Sequence, residues 1–148
     1  MDDVKRMLIE HACCRLIQIY AFAIDHRDVE AFVNIFTKDA SYKLALEPKP
    51  LIGHEPIRKW LQNYPPDMLV RHVPATMVVD VIDDDNAKGL SYTAVYKQPH
   101  HKGPEPSGRT LPRGVVEYYD RFVRTPDGWR IKSRENIFLF FNEDGIPR

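Results

Sequence analysis

One long amphipathic helix at the N-terminal end of the chain is the strongest constraint on its fold. Apolar residues recur at steps of three and four from about Asp2 to Ile24, and Asp2 can cap the first turn. The last turn, residues 21–24, is apolar on nearly every side, although a surface helix needs only one apolar face. Other elements must therefore enclose this end of the helix, and we expect Tyr20 and Asp25 to be buried there.

Two shorter helices and an early strand are predicted next. Asp28 can cap a helix over residues 29–36, and the alternation of apolar and polar residues over 40–46 predicts a strand. A third helix is expected to start with Pro56 at its first position, and Pro65-Pro66 ends it.

Beyond Val70 the pattern changes to strands joined by short turns. The predicted strands are residues 70–82, 89–98, 115–124 and 129–141. Three helices and one strand followed by a four-strand meander predict an α+β fold in which the helices cover one face of a curved sheet. There is no internal repeat and no linker, so we expect residues 1–148 to form a single domain.

Charge and hydropathy exclude some classes of partner. The chain carries 21 basic and 21 acidic residues without a long run of either sign, so it lacks the electrostatic pattern of a nucleic-acid or acidic-membrane binder. The sequence shows no run of about 18 apolar residues of the kind that crosses a bilayer, and the acidic Asp2 and Asp3 do not fit a signal peptide. We therefore expect a soluble, cytoplasmic protein with a small hydrophobic partner.

The sequence contains none of the common cofactor motifs. A phosphate-cradling glycine loop, a nucleophile elbow and a dinucleotide fingerprint are all missing. The histidines also lack the spacing of a metal site, since His100-His101 falls in a Pro- and Gly-rich loop. We expect chemistry that needs no cofactor and no metal.

Asp25 and His72 are the strongest candidates for such chemistry. Asp25 follows the apolar helix end and His72 lies at the start of an apolar strand, so the two can meet inside a pocket, where a carboxylate orients an imidazole. Two alternatives remain at this stage. Asp25 could cap the following turn, and His72 could be a core or surface histidine without a chemical role.

The order and spacing of several short motifs resemble the SnoaL-like branch of the nuclear transport factor 2-like superfamily. These motifs are, in chain order, Tyr20-x4-Asp25-x2-Asp28, Phe36-Thr37-x-Asp39-Ala40, Gly53-x3-Ile57, Arg71-His72, Tyr118-x-Asp120-x-Phe122 and Asp127-Gly128-Trp129-Arg130-Ile131. Within that branch the chain is most similar to scytalone dehydratase, the bile acid dehydratases and hexachlorocyclohexane dehydrochlorinase.

The resemblance implies a conical barrel, in which a curved, mostly antiparallel sheet wraps around a long N-terminal helix with two shorter helices and leaves an apolar cavity. It also implies that Asp25 pairs with His72 and that Tyr20 faces the pocket. A pocket arginine on the last strands is a further feature of the family. The candidates here are Arg121, Arg124, Arg130 and, by preference, Arg134.

These features together predict a cofactor-independent lyase of the dehydratase type, acting on a hydrophobic cyclic or aromatic molecule. His72 is the expected base, Asp25 orients it, and Tyr20 and Arg134 donate hydrogen bonds to developing negative charge. The expected substrate-binding residues are apolar: Phe22, Ile24, Trp60, Met68 and Phe138. Two alternatives are an isomerase or cyclase of a polyketide-, terpenoid- or steroid-like substrate and a non-catalytic member, either a small-molecule binder or one like a dioxygenase small subunit.

Two further expectations concern a loop and the assembly. Residues 99–112 form a loop that is either a lid or a plain connection between strands.

The last strand ends with Ile137-Phe138-Leu139-Phe140-Phe141, which is apolar on both faces, so we expect a homo-oligomer. The resemblance implies a trimer first and a dimer as the alternative.

Overall fold

The computed structural model describes residues 1–108 and 110–142, and within them three helices cover one face of a six-stranded sheet. The elements are α1 (Asp3–His26), α2 (Val29–Asn34), β1 (Phe36–Lys43), β2 (Leu51–Ile52), α3 (His54–Gln62), β3 (Leu69–Val81), β4 (Asn86–Gln98), β5 (Pro112–Thr125) and β6 (Gly128–Phe141). The predicted α+β fold, with a curved sheet around a long first helix, is confirmed.

The sheet has the strand order β2-β1-β6-β5-β4-β3. Strands β3 to β6 form the predicted antiparallel meander, and β1 joins its far edge by pairing parallel to β6. The turn before β6 depends on Gly128, whose φ of +100° is unfavourable for other residues. The two-residue strand β2, which pairs with β1, was not predicted, because two residues show no measurable alternation.

Helix α1 packs its buried face against the sheet and makes the core of the molecule. Asp2 caps it by accepting a hydrogen bond from the Lys5 N–H at 2.7 Å, as predicted. The buried residues are Ile9, Cys13, Leu16, Ile17, Tyr20, Ala21, Ala23 and Ile24. The three- and four-residue spacing also places Val4 and Leu8 on this face, but both are exposed, because packing against the sheet begins only at Ile9.

The C-terminal turn of α1 is enclosed on most sides, with one exception. Tyr20, Ala23 and Ile24 are buried as expected, but Phe22 is 59% exposed. Phe22 occurs one turn after the exposed Gln18 and is stacked on the ring of His26, with 4.1 Å between ring centroids. The 100° step of a helix places Phe22 on the face opposite Tyr20, so apolar character at this position did not mean burial.

The boundary between α2 and β1 also differs from the prediction. The helix ends at Asn34, and Phe36, which was expected to be helical, is the first residue of β1. Phe36 pairs with Ile131 of β6 and is buried. A helical and an extended segment can each bury two consecutive apolar residues, so periodicity alone could not separate them.

Although the sequence shows no unbroken apolar run of membrane-spanning length, helix α1 as a whole is long and apolar enough, by length and composition alone, to cross a membrane. This observation is weak evidence for a span, because the core helix of a soluble protein passes the same test. Here the buried face of α1 contacts the sheet, most extensively at β3, which is the arrangement of a core helix.

Candidate active site

The carboxylate of Asp25, at the end of α1, contacts His72 on β3. Its Oδ1 lies 2.7 Å from Nδ1 of the His72 ring, and its Oδ2 accepts the backbone N–H of His72 at 2.9 Å. Both side chains are nearly enclosed, with 5% of the Asp25 side chain and 8% of the His72 side chain exposed. The predicted contact between these residues is therefore present in the structure.

Asp25 is available for this contact because another aspartate, Asp28, caps the next helix. Asp28 accepts the Ala31 N–H at 3.0 Å and thereby fulfils the capping role that was the alternative for Asp25. A carboxylate can only accept hydrogen bonds, so the contact assigns a proton to Nδ1 of His72, and in the neutral ring Nε2 is then the nitrogen with the free lone pair. The pair thus has the geometry of an oriented base.

His72 faces a cavity of about 260 Å³ inside the cone. Its wall is mostly apolar and aromatic, with polar groups at a few positions. The lining residues are Tyr20, Tyr42, Leu44, Ala45, Leu46, Glu47, Trp60, Tyr64, His72, Val95, Lys97, Arg113, Val116, Tyr118, Asn136 and Phe138. Of the expected substrate-binding residues, Trp60 and Phe138 lie on this wall.

The other three expected substrate-binding residues lie elsewhere. Ile24 is completely buried in the core, and Phe22 is exposed on the outside of α1. Met68 borders a separate, shallow depression next to Asp25, together with Arg71 and His101. The side of the helix or strand that each residue occupies decides where its side chain lies, and the apolar character of a residue does not show which side that is.

Tyr20 lines the cavity and shares a hydrogen bond with Tyr42, with 2.7 Å between the two hydroxyl oxygens. The amide of Asn136 reaches the Tyr20 oxygen at 3.5 Å. Burial raises the pKa of Tyr42 well above its usual value, and burial does the same for the pKa of Tyr118. These two phenols are therefore protonated at neutral pH, and their O–H groups can act as donors.

Arg134 does not line the cavity around His72. Its guanidinium binds the Asp120 carboxylate through two hydrogen bonds, of 2.7 and 2.6 Å, and both side chains are inaccessible to solvent. Burial favours a lower pKa for Arg134, but the charge of Asp120 outweighs it and the pKa is raised. The guanidinium carbon lies 4.1 Å from the ring centre of Tyr20 and 4.5 Å from that of Tyr118. Arg134 therefore packs against two residues of the cavity wall, Tyr20 and Tyr118, without lining the cavity itself.

A larger, open cavity of about 650 Å³ lies on another part of the sheet and is bordered by Asp120 and Arg134. Its wall includes exposed residues such as Val78, Lys88 and Arg121, and among the described residues that line it there is no histidine. We place the candidate active site in the smaller cavity, because His72 and the hydrogen-bonded hydroxyls of Tyr20 and Tyr42 are on its wall.

Several lining residues were not predicted from the sequence, and they differ in how easily they could have been found. Lys97 follows Val95 by two residues on β4, so the period of the strand alone places it on the inner face. Arg113 is different. It occupies an irregularity in the β4–β5 pairing, where Val95 pairs with Gly114 but Tyr96 pairs with Pro112, and such a bulge breaks the alternation.

The loop histidines do not reach the cavity. His100 is exposed and its Nδ1 contacts Asp67 at 2.7 Å, while His101 borders the depression near Asp25. The expected loop over residues 99–112 includes residue 109, which lies outside the described residues, and the choice between lid and plain connection stays open. Among residues 1–108 and 110–142, no group of three or more potential ligands is arranged to hold a metal ion.

The fold and the site together define a class of protein: a cone-shaped α+β domain whose internal cavity is lined by a histidine that a neighbouring aspartate binds. The family model of the SnoaL-like domain matches residues 5–135, and the chain therefore belongs to the SnoaL-like family. The comparison with curated proteins found no match.

Solved structures of similar proteins agree with this fold. A candidate aromatic ring hydroxylase from Novosphingobium aromaticivorans is 25% identical, with a TM-score of 0.76 and 90% of each chain covered. A candidate scytalone dehydratase from the same organism is 17% identical, with a TM-score of 0.79 and coverage of 96% of this chain and 91% of that one. The structure of LinA is 16% identical, with a TM-score of 0.80 and coverage of 100% and 98%. The likeness to the last two shows the fold.

Proposed function

We propose that this protein is a cofactor-independent lyase that removes water from a small hydrophobic molecule, with His72 as the general base. The observation that carries the proposal is the contact between Asp25 and His72 at the cavity wall, with 2.7 Å between Oδ1 and Nδ1. This contact directs the unprotonated Nε2 away from Asp25, and His72 is one of the residues that line the cavity. A catalytic base needs this combination of a fixed orientation, a free lone pair and access to the substrate.

The elimination follows from this geometry. Nε2 of His72 accepts a proton from a carbon next to an electron-withdrawing group, and the electron pair of that C–H bond forms the new double bond. The C–O bond to the neighbouring hydroxyl breaks, and the protonated ring gives its proton to this hydroxyl, which leaves as water. Asp25 stabilises the imidazolium between the two proton transfers. General base help of this kind accelerates a reaction by about 10²–10⁴-fold.

The hydroxyl pair of Tyr20 and Tyr42 supplies hydrogen bonds for the negative charge that develops on the substrate. Only one of the two hydroxyls donates within the pair, so the other O–H remains available to an oxygen in the cavity. We assign Arg134 a positioning role, because it contacts the rings of Tyr20 and Tyr118 and lies outside the cavity wall. It holds Tyr20 in place through cation–π contact.

The size and composition of the cavity support a compact, apolar substrate. Its volume of about 260 Å³ is below the range of about 300–1,000 Å³ that is common for ligand sites. Trp60 and Phe138 provide flat apolar surfaces on which a ring can pack. A molecule with one or two rings fits these limits, and a steroid-sized one does not.

A mass-spectrometric screen tests this proposal. The purified protein is incubated with a series of cyclic β-hydroxy carbonyl compounds, and each product is weighed. A mass lower by one water indicates elimination, whereas an unchanged mass with a new retention time indicates isomerisation. The activity should disappear in His72→Ala and persist in His101→Ala, which removes a histidine outside the cavity. Full activity of His72→Ala would refute the proposed base.

A further inference from the structure

Two positive side chains, Lys97 and Arg113, lie on the same wall of the cavity as His72. The strand register places them close to one another. His72 on β3 pairs with Val95 on β4, and Val95 pairs in turn with Gly114 on β5. On β4, Lys97 is the next residue after Val95 that faces the cavity. On β5, Arg113 lies next to Gly114 and also lines the cavity. Diagonal neighbours of this kind have Cα atoms about 7–8 Å apart, so Lys97 lies within the length of one small molecule from His72.

Neither cation has an acidic partner in the part of the chain that the structure describes. The ammonium of Lys97 lies 5.3 Å from the ring centre of Tyr64. The guanidinium of Arg113 stacks at 4.1 Å from the ring centre of Phe141 and donates to the backbone oxygen of Asn142 at 3.0 Å. The acid on the cavity wall, Glu47, is exposed and forms no ion pair with either cation.

This arrangement is unfavourable while the cavity holds no anion. Burial lowers the pKa of Lys97, and the positive charge of Arg113 lowers it further. Two like charges in a partly desolvated wall repel each other, and side chains perturbed in this way cluster at functional sites, where a ligand of opposite charge relieves the repulsion. The mechanism described above uses neither residue.

We propose that the substrate carries a carboxylate, which binds between Lys97 and Arg113 while its apolar ring packs in the cavity next to His72. This inference names the substrate class of the proposed lyase site and in that sense rests on the proposed function. The carboxylate anchors the molecule at the wall, and the reacting C–H group lies at the end of the skeleton nearer to Nε2. The guanidinium can bind both oxygens of a carboxylate, and the ammonium adds a point charge.

Equilibrium binding tests the inference without any need for turnover. The probes are benzoate, cinnamate and naphthoate, each compared with its uncharged amide of nearly the same shape: benzamide, cinnamamide and naphthamide. Affinities are measured by calorimetry on the full chain. We expect at least one acid to bind about 10- to 100-fold more tightly than its amide. Added salt should weaken the binding of that acid and leave the binding of its amide unchanged.

Variants assign the preference to the two cations. The double variant Lys97→Met, Arg113→Met should bind acid and amide equally, and each single variant should lose part of the preference. The matched control is Lys88→Met, Arg121→Met, which removes the same charge from exposed positions and should keep the preference.

The inference fails if no acid binds more tightly than its amide to the wild-type protein, which requires no variant to fold. It also fails if the preference survives in folded Lys97→Met and in folded Arg113→Met. The same titrations on His72→Ala separate this result from the proposed chemistry. A preference that persists without His72 supports the anion site whether or not His72 is the base.

Discussion

The carboxylate of Asp25 binds His72 twice, through the ring Nδ1 at 2.7 Å and through the backbone N–H at 2.9 Å. The second contact has a structural role, because β3 is the edge strand of the sheet and, within the described residues, one side of its backbone has no strand partner. Asp25 therefore ties the end of α1 to the sheet edge and fixes the imidazole in the same step. The orientation of the ring depends on a contact that also stabilises the fold.

Replacing Asp25 by asparagine is expected to reverse the tautomer of His72. An amide has only one acceptor oxygen, and the backbone N–H of His72 already needs it, so the amide N–H₂ group then faces Nδ1. The proton moves to Nε2, which can no longer accept one from substrate. We predict a fall in kcat of about 10⁴-fold with little loss of substrate binding, as expected for a base held in the wrong tautomer.

The control for this variant is Asp28→Asn, which makes the same chemical change at the cap of α2 and should keep near-normal kcat. Steady-state kinetics on a substrate from the screen provide the comparison. His72→Ala should be as inactive as Asp25→Asn, and the double variant hardly worse than either, because the residues act as one unit. Additive losses would contradict a shared role.

Tyr20→Phe is expected to lower kcat by about 10²-fold or more, the usual effect of removing one hydrogen-bond donor to developing charge. The ring stays in contact with Arg134, so the change removes only the hydroxyl. The matched control is Tyr119→Phe, which removes an exposed hydroxyl that contacts Glu117 and should leave kcat unchanged. Equal activity of both variants would exclude Tyr20 as a donor.

The sequence carried enough local information to predict the fold and the contact between Asp25 and His72. The apolar helix end, the capping residue Asp28 and the start of β3 are each visible as short-range patterns, and the resemblance to the SnoaL-like family orders them in space. These features depend on helical and strand periods, which the structure confirms for α1 and the meander.

The remaining features of the site depend on contacts that local patterns do not encode. Arg113 reaches the cavity because of a bulge, whereas Arg134 turns away because Asp120 on the paired strand binds it. Phe22 is exposed although its turn is apolar, because the sheet covers only one side of α1. In each case, contacts with residues that are distant in the sequence decide where the side chain lies.

Arg134→Met is expected to destabilise the protein by about 3–5 kcal/mol, because it leaves the Asp120 carboxylate buried without its partner. Denaturant unfolding monitored by circular dichroism measures the change. The double variant Arg134→Met, Asp120→Asn removes the stranded charge and should recover part of the loss. A loss of less than about 1 kcal/mol in the single variant would show that this pair is not closed to water.

The assembly remains a prediction. Ile137, Leu139 and Phe140 on β6 are exposed, with 69% of Phe140 accessible, and a surface of this kind is usually covered by another chain. We expect light scattering to give about three times the 17.3 kDa of one chain, or twice that mass if the assembly is a dimer. Phe140→Asp should lower the mass, whereas Phe22→Ser, at a similarly exposed site on α1, should not. A monomer at micromolar concentration would contradict the prediction.

Lys97→Met is expected to stabilise the protein at neutral pH by about 0.5–2 kcal/mol, at the expense of acid binding. Burial and Arg113 lower the pKa of Lys97 in the folded state below the ordinary value of 10.5, so folding with a charged Lys97 is unfavourable at neutral pH. As the pH rises from the folded pKa toward 10.5, the folded state loses this proton before the unfolded state does, and the wild-type protein gains stability.

The difference in unfolding free energy between Lys97→Met and wild type should therefore be largest at neutral pH and shrink as the pH approaches 10.5. Chemical denaturation at a series of pH values measures it. Lys88→Met is the control, because Lys88 is exposed and its replacement should change stability by no more than about 0.5 kcal/mol. If Lys97→Met is less stable than wild type at neutral pH, the Lys97 ammonium contributes favourably to the fold, and an anion-binding role would no longer be needed to explain its place in the cavity wall.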